Sequence, residues 1–282
     1  MGRKLDYSPG MGRVAFLLAF CLLAACQSAP VTGRSQMMLV SEDEERQLGA
    51  RAYLQVLSRE QPSHSVELNS MVERVGHRIA GAAEHPPTDM WKAPHYRWEF
   101  HTIAKNQANA FCLPGGKIAV YSGILSVAHT DGELAAVIGH EVAHALARHS
   151  AERLSDQKLL AGGLLLASIA ASVATSRSTS GTAGIAAPMA IAALGAGASV
   201  GILMPMSRSQ ESEADHIGLV LMALAGYDPH EALALWERMR ALDQNKSSSS
   251  QWFSTHPTND ARIADIKRWL PEAMKYYRPR ND

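Results

Sequence analysis

The feature that most constrains this chain is a pair of histidines four residues apart, His140 and His144, with Glu141 directly after the first. They lie in an apolar run, residues 133–148, that has helical character. Residues four apart on a helix share one face, so both imidazoles can bind a single zinc ion. Glu141 can then reach water at that ion and act as a general base. The alternative is a helix that carries two unrelated histidines.

Other helices are expected from their caps and their apolar periodicity. Thr130 and Glu133 fit a capping box at the start of the motif helix. Ser41 can cap a helix whose first turn is acidic, where the charges complement the helix dipole, and this helix is expected to reach about residue 59. A further helix is expected from Val66 to about Ala83, because apolar residues recur on one side of it.

Strand candidates lie just before the motif helix. Residues 95–103 alternate as a half-buried strand does, and residues 109–113 and 117–121 flank a Pro-Gly-Gly turn. These segments should form a small sheet beside the helix. An edge strand can bond an extended peptide by strand addition, so Asn109 and Ala110 are candidates for contact with a substrate backbone. The alternative is a purely structural hairpin.

A third metal ligand is expected downstream of the motif. Glu211 and Asp215 are four residues apart and share a face of a predicted helix, whereas Glu213 points nearly the other way. A carboxylate is the expected third zinc ligand, which leaves a fourth position for water, and Glu211 is the candidate. Asp215 could accept the second ring N–H of a ligand histidine. Taken alone, such a pair is usually a solvated helix face.

Two other histidines can be compared with this ligand set, His256 and His149. Pro257 restrains His256 from helical geometry, so a loop could present His256 to the zinc as an inhibitory ligand or to the developing oxyanion as a donor. The alternative is a packed loop histidine, with Arg262 paired to a nearby acid. His149 follows His144 by five residues and is therefore expected to lie off the ligand face.

The N-terminal residues are expected to be a targeting segment. Basic residues precede an apolar run, residues 14–25, which is short for a membrane span and suits a secretory signal. The run ends in Leu-Ala-Ala-Cys, which resembles the lipobox of bacterial lipoproteins. That resemblance implies cleavage before Cys26 and lipidation of its thiol, and Gln27 favours the outer membrane over the inner membrane. The alternatives are an ordinary signal peptide cut nearby and an uncleaved anchor.

The chain thus divides into a lipoprotein signal peptide (1–25), a lipidated tether and entry segment (26–40) and one domain (41–282). With 46% hydrophobic residues in a chain of 282, a sizeable core is expected. The formal net charge is zero and no basic run with interleaved aromatic residues occurs, so we set nucleic-acid binding aside.

The domain contains an apolar insert rich in Ala and Gly, residues 159–206. Three structures compete for it: closely packed buried helices, a helical hairpin that enters the membrane, and a mobile flap. We favour soluble or membrane-surface helices, because the first apolar run is marginal in length and Ala and Gly contribute little to insertion.

Taken together, residues 140–144, 211–215 and 109–123 and the late His256-Pro257 pair closely resemble the M48 family of zinc metallopeptidases, which has HtpX-, Oma1- and CAAX-protease-like members. The resemblance covers roughly residues 31–270. It implies an α+β, mainly α-helical gluzincin domain with a small β-sheet beside the HExxH helix. It further implies that His140, His144 and Glu211 bind one zinc ion and that Glu141 is the base.

The lipobox and the compact size look most like the periplasmic lipoprotein members of that family. This likeness implies an endopeptidase of the bacterial cell envelope that hydrolyses misfolded or misassembled polypeptides. Clear multiple membrane spans are absent from the sequence, which argues against a prenylated protein as substrate. The alternative function is an envelope chaperone or scaffold lipoprotein with a structural or latent zinc site.

Overall fold

The computed structural model describes residues 26–87, 90–175, 206–244, 252, 256 and 260–279. The predicted signal peptide and residues 176–205 of the apolar insert lie outside the described residues. The helices are α1 Glu42–Leu57, α2 Val66–Glu84, α3 Asp131–Leu146, α4 His149–Thr175, α5 Arg208–Leu224, α6 His230–Gln244 and α7 Asp260–Ala273. In the described part of the chain, no helix combines the length and the apolar character that crossing a membrane requires.

The strands form two small sheets. β1 (Cys26–Ser28) and β2 (Ser35–Met37) pair as an antiparallel hairpin. The second sheet has the order β3-β5-β4, in which β3 (Glu99–Ile103) runs parallel to β5 (Lys117–Tyr121) and β4 (Ala110–Leu113) runs antiparallel to it. β4 is therefore an edge strand, and it packs on α3. The predicted class, a mainly helical α+β domain with a small sheet beside the motif helix, is confirmed.

Helix α3 lies at the centre of the domain. Residues 132–146 are all buried, because α2, α5, α6 and β4 pack around the helix. Its approach to α5 depends on two glycines. A Cβ on Gly139 would lie 3.2 Å from the carbonyl oxygen of Gly218, and a Cβ on Gly218 would lie 3.1 Å from the backbone nitrogen of His140. This close crossing places the histidines of α3 against the carboxylates of α5.

The predicted capping box at the start of α3 is only half formed. The hydroxyl of Thr130 accepts a hydrogen bond from the Glu133 N–H at 3.0 Å, as expected. The Glu133 carboxylate, however, accepts from the His129 N–H and from both terminal nitrogens of Arg238. Arg238 comes from α6, so a tertiary contact takes the carboxylate away from the cap residue.

The first predicted strand is shorter than expected, since β3 begins at Glu99 rather than at residue 95. The cause is a side-chain contact. The backbone N–H groups of His95 and Tyr96 both donate to the carboxylate of Glu84, and His95 has a positive φ of 52°. Those N–H groups are therefore not available to a neighbouring strand.

Candidate metal and active site

Four buried side chains from three parts of the chain meet at one point. They are His140, His144, Glu211 and His256, and each offers a ligand atom within 4.8 Å of the others. The Nε2 atoms of His140 and His144 lie 3.1 Å apart. The carboxylate oxygens of Glu211 lie 3.4 Å and 3.5 Å from those two nitrogens. Two imidazole nitrogens and one carboxylate form the donor set of a catalytic zinc site.

Glu141 lies beside this cluster, and only one of its two carboxylate oxygens accepts a hydrogen bond. Its Oε2 accepts a hydrogen bond from the Cys112 N–H at 3.1 Å. Its Oε1 is buried and has no hydrogen-bond partner among the described residues. An unsatisfied buried carboxylate oxygen costs free energy, so its presence indicates a polar group that binds here. The donor set and this oxygen together fit a metal ion that carries water.

Burial and local charges shift the pKa values of the two motif histidines in opposite directions. Burial lowers the pKa of His144 well below its ordinary value, which keeps this imidazole neutral and able to bind a metal. Burial and Arg262 act in the same direction on His140, but hydrogen bonds to Asp215 and Glu211 outweigh them and raise its pKa to about 9. A metal ion that binds His140 at neutral pH therefore displaces a proton.

The two glutamates at the site have opposite shifts. Burial alone would raise the pKa of Glu211, but the charge of His256 and the contacts with His140 and His144 lower it far below its ordinary value. Glu211 is thus an ionised ligand. Burial raises the pKa of Glu141, which makes its carboxylate a stronger base.

Asp215 lies behind His140, on the side of the ring away from the cluster. The Nδ1 of His140 donates to Asp215 Oδ1 at 3.0 Å. Arg262 donates to the same carboxylate from Nε at 2.5 Å and from a terminal nitrogen at 2.8 Å. The guanidinium of Arg262 also lies 3.7 Å from the ring centroid of Trp236, so it is clamped from a second side. These contacts fix the orientation of the His140 ring.

His149 and Glu213 lie outside the ligand cluster but contact it through His144. His149 is fully buried, and its Nδ1 lies 2.7 Å from Nδ1 of His144. Arg148 adopts a left-handed conformation with φ of 55°, which separates α3 from α4 and resets the helical phase. Glu213 contacts His149 at 2.9 Å. Periodicity could not reveal the contact between His144 and His149, because it assumes one unbroken helix.

Of the two predicted substrate contacts, Ala110 is the first residue of β4 and Asn109 directly precedes the strand. The Cys112 N–H faces Glu141, away from β5, and backbone groups in a strand alternate in direction. Ala110 therefore presents its N–H and C=O to the open side of β4, next to the cluster. Asn109 faces the other way, and its C=O accepts a hydrogen bond from the Tyr121 N–H. The backbone candidates for strand addition are thus Ala110 and Cys112 rather than Asn109.

His256 joins the cluster from the C-terminal part of the chain. Its Nδ1 lies 2.9 Å from Glu211 and 3.2 Å from His140, and its Nε2 lies 3.5 Å from Glu141 Oε1. The ring stacks on Trp252 with centroids 4.4 Å apart, and the His256 N–H donates to the Trp252 carbonyl. His256 therefore contacts both the ligand cluster and the candidate base.

Comparison with known proteins identifies relatives of this chain. The model of peptidase family M48 matches residues 67–270. The mitochondrial metalloendopeptidase OMA1 of Schizosaccharomyces pombe is 38% identical over 250 residues, which cover 87% of this chain and 66% of the relative. The protein of that name from Saccharomyces cerevisiae is 32% identical over 268 residues, with 88% and 70% covered. The putative beta-barrel assembly-enhancing protease of Vibrio cholerae is 31% identical over 281 residues, with 93% and 52% covered.

The chain spans 52 to 70% of the length of these three relatives. The family match extends from α2 to α7 and includes the motif helix and the Glu211 helix. The family resemblance seen in the sequence is therefore confirmed. This chain belongs to peptidase family M48, whose members are zinc metallopeptidases.

Proposed function

We propose that this protein is a zinc-dependent endopeptidase of the bacterial cell envelope, in which His140, His144 and Glu211 hold one zinc ion. The observation that carries the proposal is the position of Glu141. Its Oε1, which accepts no hydrogen bond from the described residues, lies beside the ligand cluster, while its Oε2 is fixed by the Cys112 N–H. A purely structural zinc site has no use for an acid at that point.

The reaction is hydrolysis of a peptide bond, and the side chains of this site divide the work. A bound zinc ion supplies Lewis-acid chemistry, since it acidifies water and polarises a carbonyl oxygen. Glu141 takes a proton from the attacking water at Oε1 and later gives it to the leaving amine. Asp215 holds the ring of His140, and the open edge of β4 orients the substrate backbone through Ala110 and Cys112.

His256 has two competing roles in this proposal. As a donor, it stabilises negative charge that develops on the substrate carbonyl. As a fourth protein ligand, it keeps the enzyme latent until the C-terminal residues move. Its contacts to Glu211 and to Glu141 support the first role and the second equally.

The proposed location is the periplasm, with a lipid anchor at Cys26, and Gln27 after the lipidated residue favours the outer membrane over the inner membrane. Cys26 is exposed at the start of β1. The name of the Vibrio cholerae relative, a putative beta-barrel assembly-enhancing protease, supports a substrate among misfolded or misassembled envelope polypeptides. The OMA1 relatives are named as mitochondrial, and the lipobox is what favours the bacterial envelope here.

A second candidate function is an envelope chaperone or scaffold with a closed zinc site. The observation that favours it is the fourth group, His256, because four protein ligands are typical of structural zinc. In that case the protein binds polypeptides without cleaving them.

The test measures bound zinc and casein hydrolysis in the full-length protein purified in mild detergent. Glu141→Gln is expected to keep about one zinc per chain and to lose roughly 10²- to 10⁴-fold in kcat, because only the proton acceptor is removed. Glu237→Gln, a change of the same kind on the surface of α6, is the matched control. An active Glu141→Gln variant would refute the assignment of Glu141 as the general base.

His256→Ala separates the two roles of that residue. Higher activity than the wild type would mean that His256 holds the enzyme latent, and lower activity with retained zinc would mean that it acts as a donor. Zinc binding without hydrolysis in every variant would establish the scaffold function instead.

A further inference from the structure

A series of buried hydrogen bonds connects the second motif histidine to the N-terminal segment. His144 Nδ1 lies 2.7 Å from His149 Nδ1, and His149 Nε2 lies 2.9 Å from Glu213 Oε2. Glu213 also accepts from Arg34 Nε at 2.9 Å and from the hydroxyl of Thr32. His149 is 0% exposed and Glu213 is 3% exposed, so water does not compete for the central bonds.

The donor and the acceptor of each hydrogen bond can be assigned by starting from Arg34. Arg34 can only donate, so Glu213 is the acceptor that it meets, and His149 donates to the same carboxylate from Nε2. The Nδ1 of His149 is then an acceptor, and His144 donates to it from its own Nδ1. This leaves the Nε2 of His144 as the nitrogen with a lone pair. That nitrogen is the one that faces the other candidate ligands.

The first motif histidine has an equivalent support on the opposite side. His140 donates from Nδ1 to Asp215, and Arg262 holds that carboxylate with two hydrogen bonds. A carboxylate held by an arginine therefore supports each motif histidine. Asp215 contacts His140 directly, whereas Glu213 reaches His144 through His149. For the second one, the arginine comes from the turn between β1 and β2, eight residues after Cys26.

We propose that Arg34 and Glu213 are positioning residues of the metal site, which fix the tautomer and ring orientation of His144 through His149. The N-terminal hairpin is then part of the machinery that holds the metal and not only a tether. This inference rests on the proposed function, in which His144 binds zinc through Nε2. Outer partners of ligand histidines usually contribute about 10- to 100-fold to metal affinity.

The test compares Glu213→Gln with Glu152→Gln in the full-length protein. Both carboxylates bind Arg34, at 2.8 Å and 2.6 Å, but Glu213 also holds His149. Zinc affinity is measured by competition with a chromophoric chelator. We expect Glu213→Gln to weaken zinc binding about 10- to 100-fold and Glu152→Gln to stay near the wild-type value. A merely structural role in docking the hairpin would make the two variants alike.

A spectroscopic measurement follows His144 itself. In the cobalt-substituted protein, the Nδ1 protons of ligand imidazoles give shifted resonances that exchange with water. We expect the proton of His144 to exchange faster in Glu213→Gln and in Arg34→Ala than in the wild type, while Arg34→Lys restores part of the protection because it keeps the charge. Circular dichroism verifies that each variant is folded. If Glu213→Gln does not fold, the comparison of Arg34→Ala with Arg34→Lys tests the inference in its place.

The outcomes separate this inference from the function on which it rests. Equal zinc affinity and equal proton exchange in Glu213→Gln and Glu152→Gln, with a wild type that binds zinc and cleaves casein, would overturn the positioning role alone. A wild type that binds no stoichiometric zinc would overturn the proposed function first.

Discussion

Glutamates in three different surroundings supply most of the chemistry at the scale of single residues. For Glu211 and Glu213, burial would raise the pKa, but contacts with histidines, and for Glu213 also with Thr32 and Arg34, lower it, so both remain ionised. For Glu141, burial dominates and the pKa rises. One residue type thus provides a fixed ligand, an anion that orients a histidine and a base.

A fourth glutamate, Glu133, is expected to make stability depend on pH. Burial alone would raise its pKa, but hydrogen bonds from Arg238 and from the His129 N–H lower it below the ordinary value of 4.5. The unfolded chain therefore takes up a proton at a higher pH than the folded protein does. The stabilisation by Glu133 is present above pH 4.5 and is lost as the pH falls through the lowered pKa.

We expect Glu133→Gln to reduce the free energy of unfolding by about 2 kcal/mol at neutral pH, because charged hydrogen bonds to Arg238 are weakened. The difference from the wild type should shrink as the pH falls below 4.5 and through the lowered pKa, where Glu133 itself becomes protonated. Urea unfolding at several pH values measures it. Glu237→Gln, with an exposed carboxylate paired to Lys267, is the control. A difference that stays constant down to acidic pH would contradict this account.

At the scale of elements, the distance between α3 and α5 sets the geometry of the site. Helix α3 carries His140 and His144, and helix α5 carries Glu211 and Asp215. They approach through Gly139 and Gly218, where an added Cβ would meet backbone atoms that cannot rotate away. The glycines therefore determine how closely the ligand groups converge.

We expect Gly218→Ala to destabilise the protein by about 1 to 3 kcal/mol, because the methyl group overpacks a helix crossing. The displaced α5 should also weaken zinc binding, by about 10-fold. Thermal unfolding and chelator competition measure the two effects. Gly81→Ala is the matched control, since a Cβ there meets no described atom within 4 Å and should stabilise α2 by about 0.5 to 1 kcal/mol. Similar behaviour of the two variants would contradict the role of the crossing.

At the scale of the whole molecule, the N-terminal hairpin brings the proposed lipid anchor and the metal site together. Cys26 begins β1, and the turn that leads to β2 carries Arg34, which binds Glu152 and Glu213 beside the cluster. Few residues therefore lie between Cys26 and the candidate active site. If Cys26 is lipidated as proposed, this arrangement would keep the domain close to the bilayer surface.

Replacement of Cys26 tests how the protein is attached. We expect Cys26→Ala to move the protein from the membrane fraction to the soluble fraction, because lipidation is then impossible. Cys112→Ala should remain with the membrane, since Cys112 is partly buried in β4 and contributes its backbone N–H to Glu141. Fractionation and immunoblotting measure both variants. If Cys26→Ala stays in the membrane fraction, an uncleaved N-terminal segment or residues 159–206 hold the protein there.

The features that the sequence by itself determined are those with a local signature. The Ser41 cap, the extent of α2 and the helix that pairs His140 with His144 all follow from contacts within a few residues. The metal-binding potential of Glu211 could be inferred as well, because a known motif demands a carboxylate and the right helix face was visible. The position of β5 was predicted residue for residue, from strand formers between turns.

Only the tertiary structure decided which distant groups support that site. Glu133 turns to Arg238 instead of its own cap, and Glu213 turns to Thr32 and Arg34, 181 and 179 residues away. Contacts at such separations leave no periodic trace in a sequence. The left-handed Arg148, tied to Glu45 at 2.7 Å, likewise redirects the chain in a way that residue counting along a continuous helix cannot anticipate. Sequence periodicity therefore specified the helices and the motif, whereas packing between remote segments specified the surroundings that orient it.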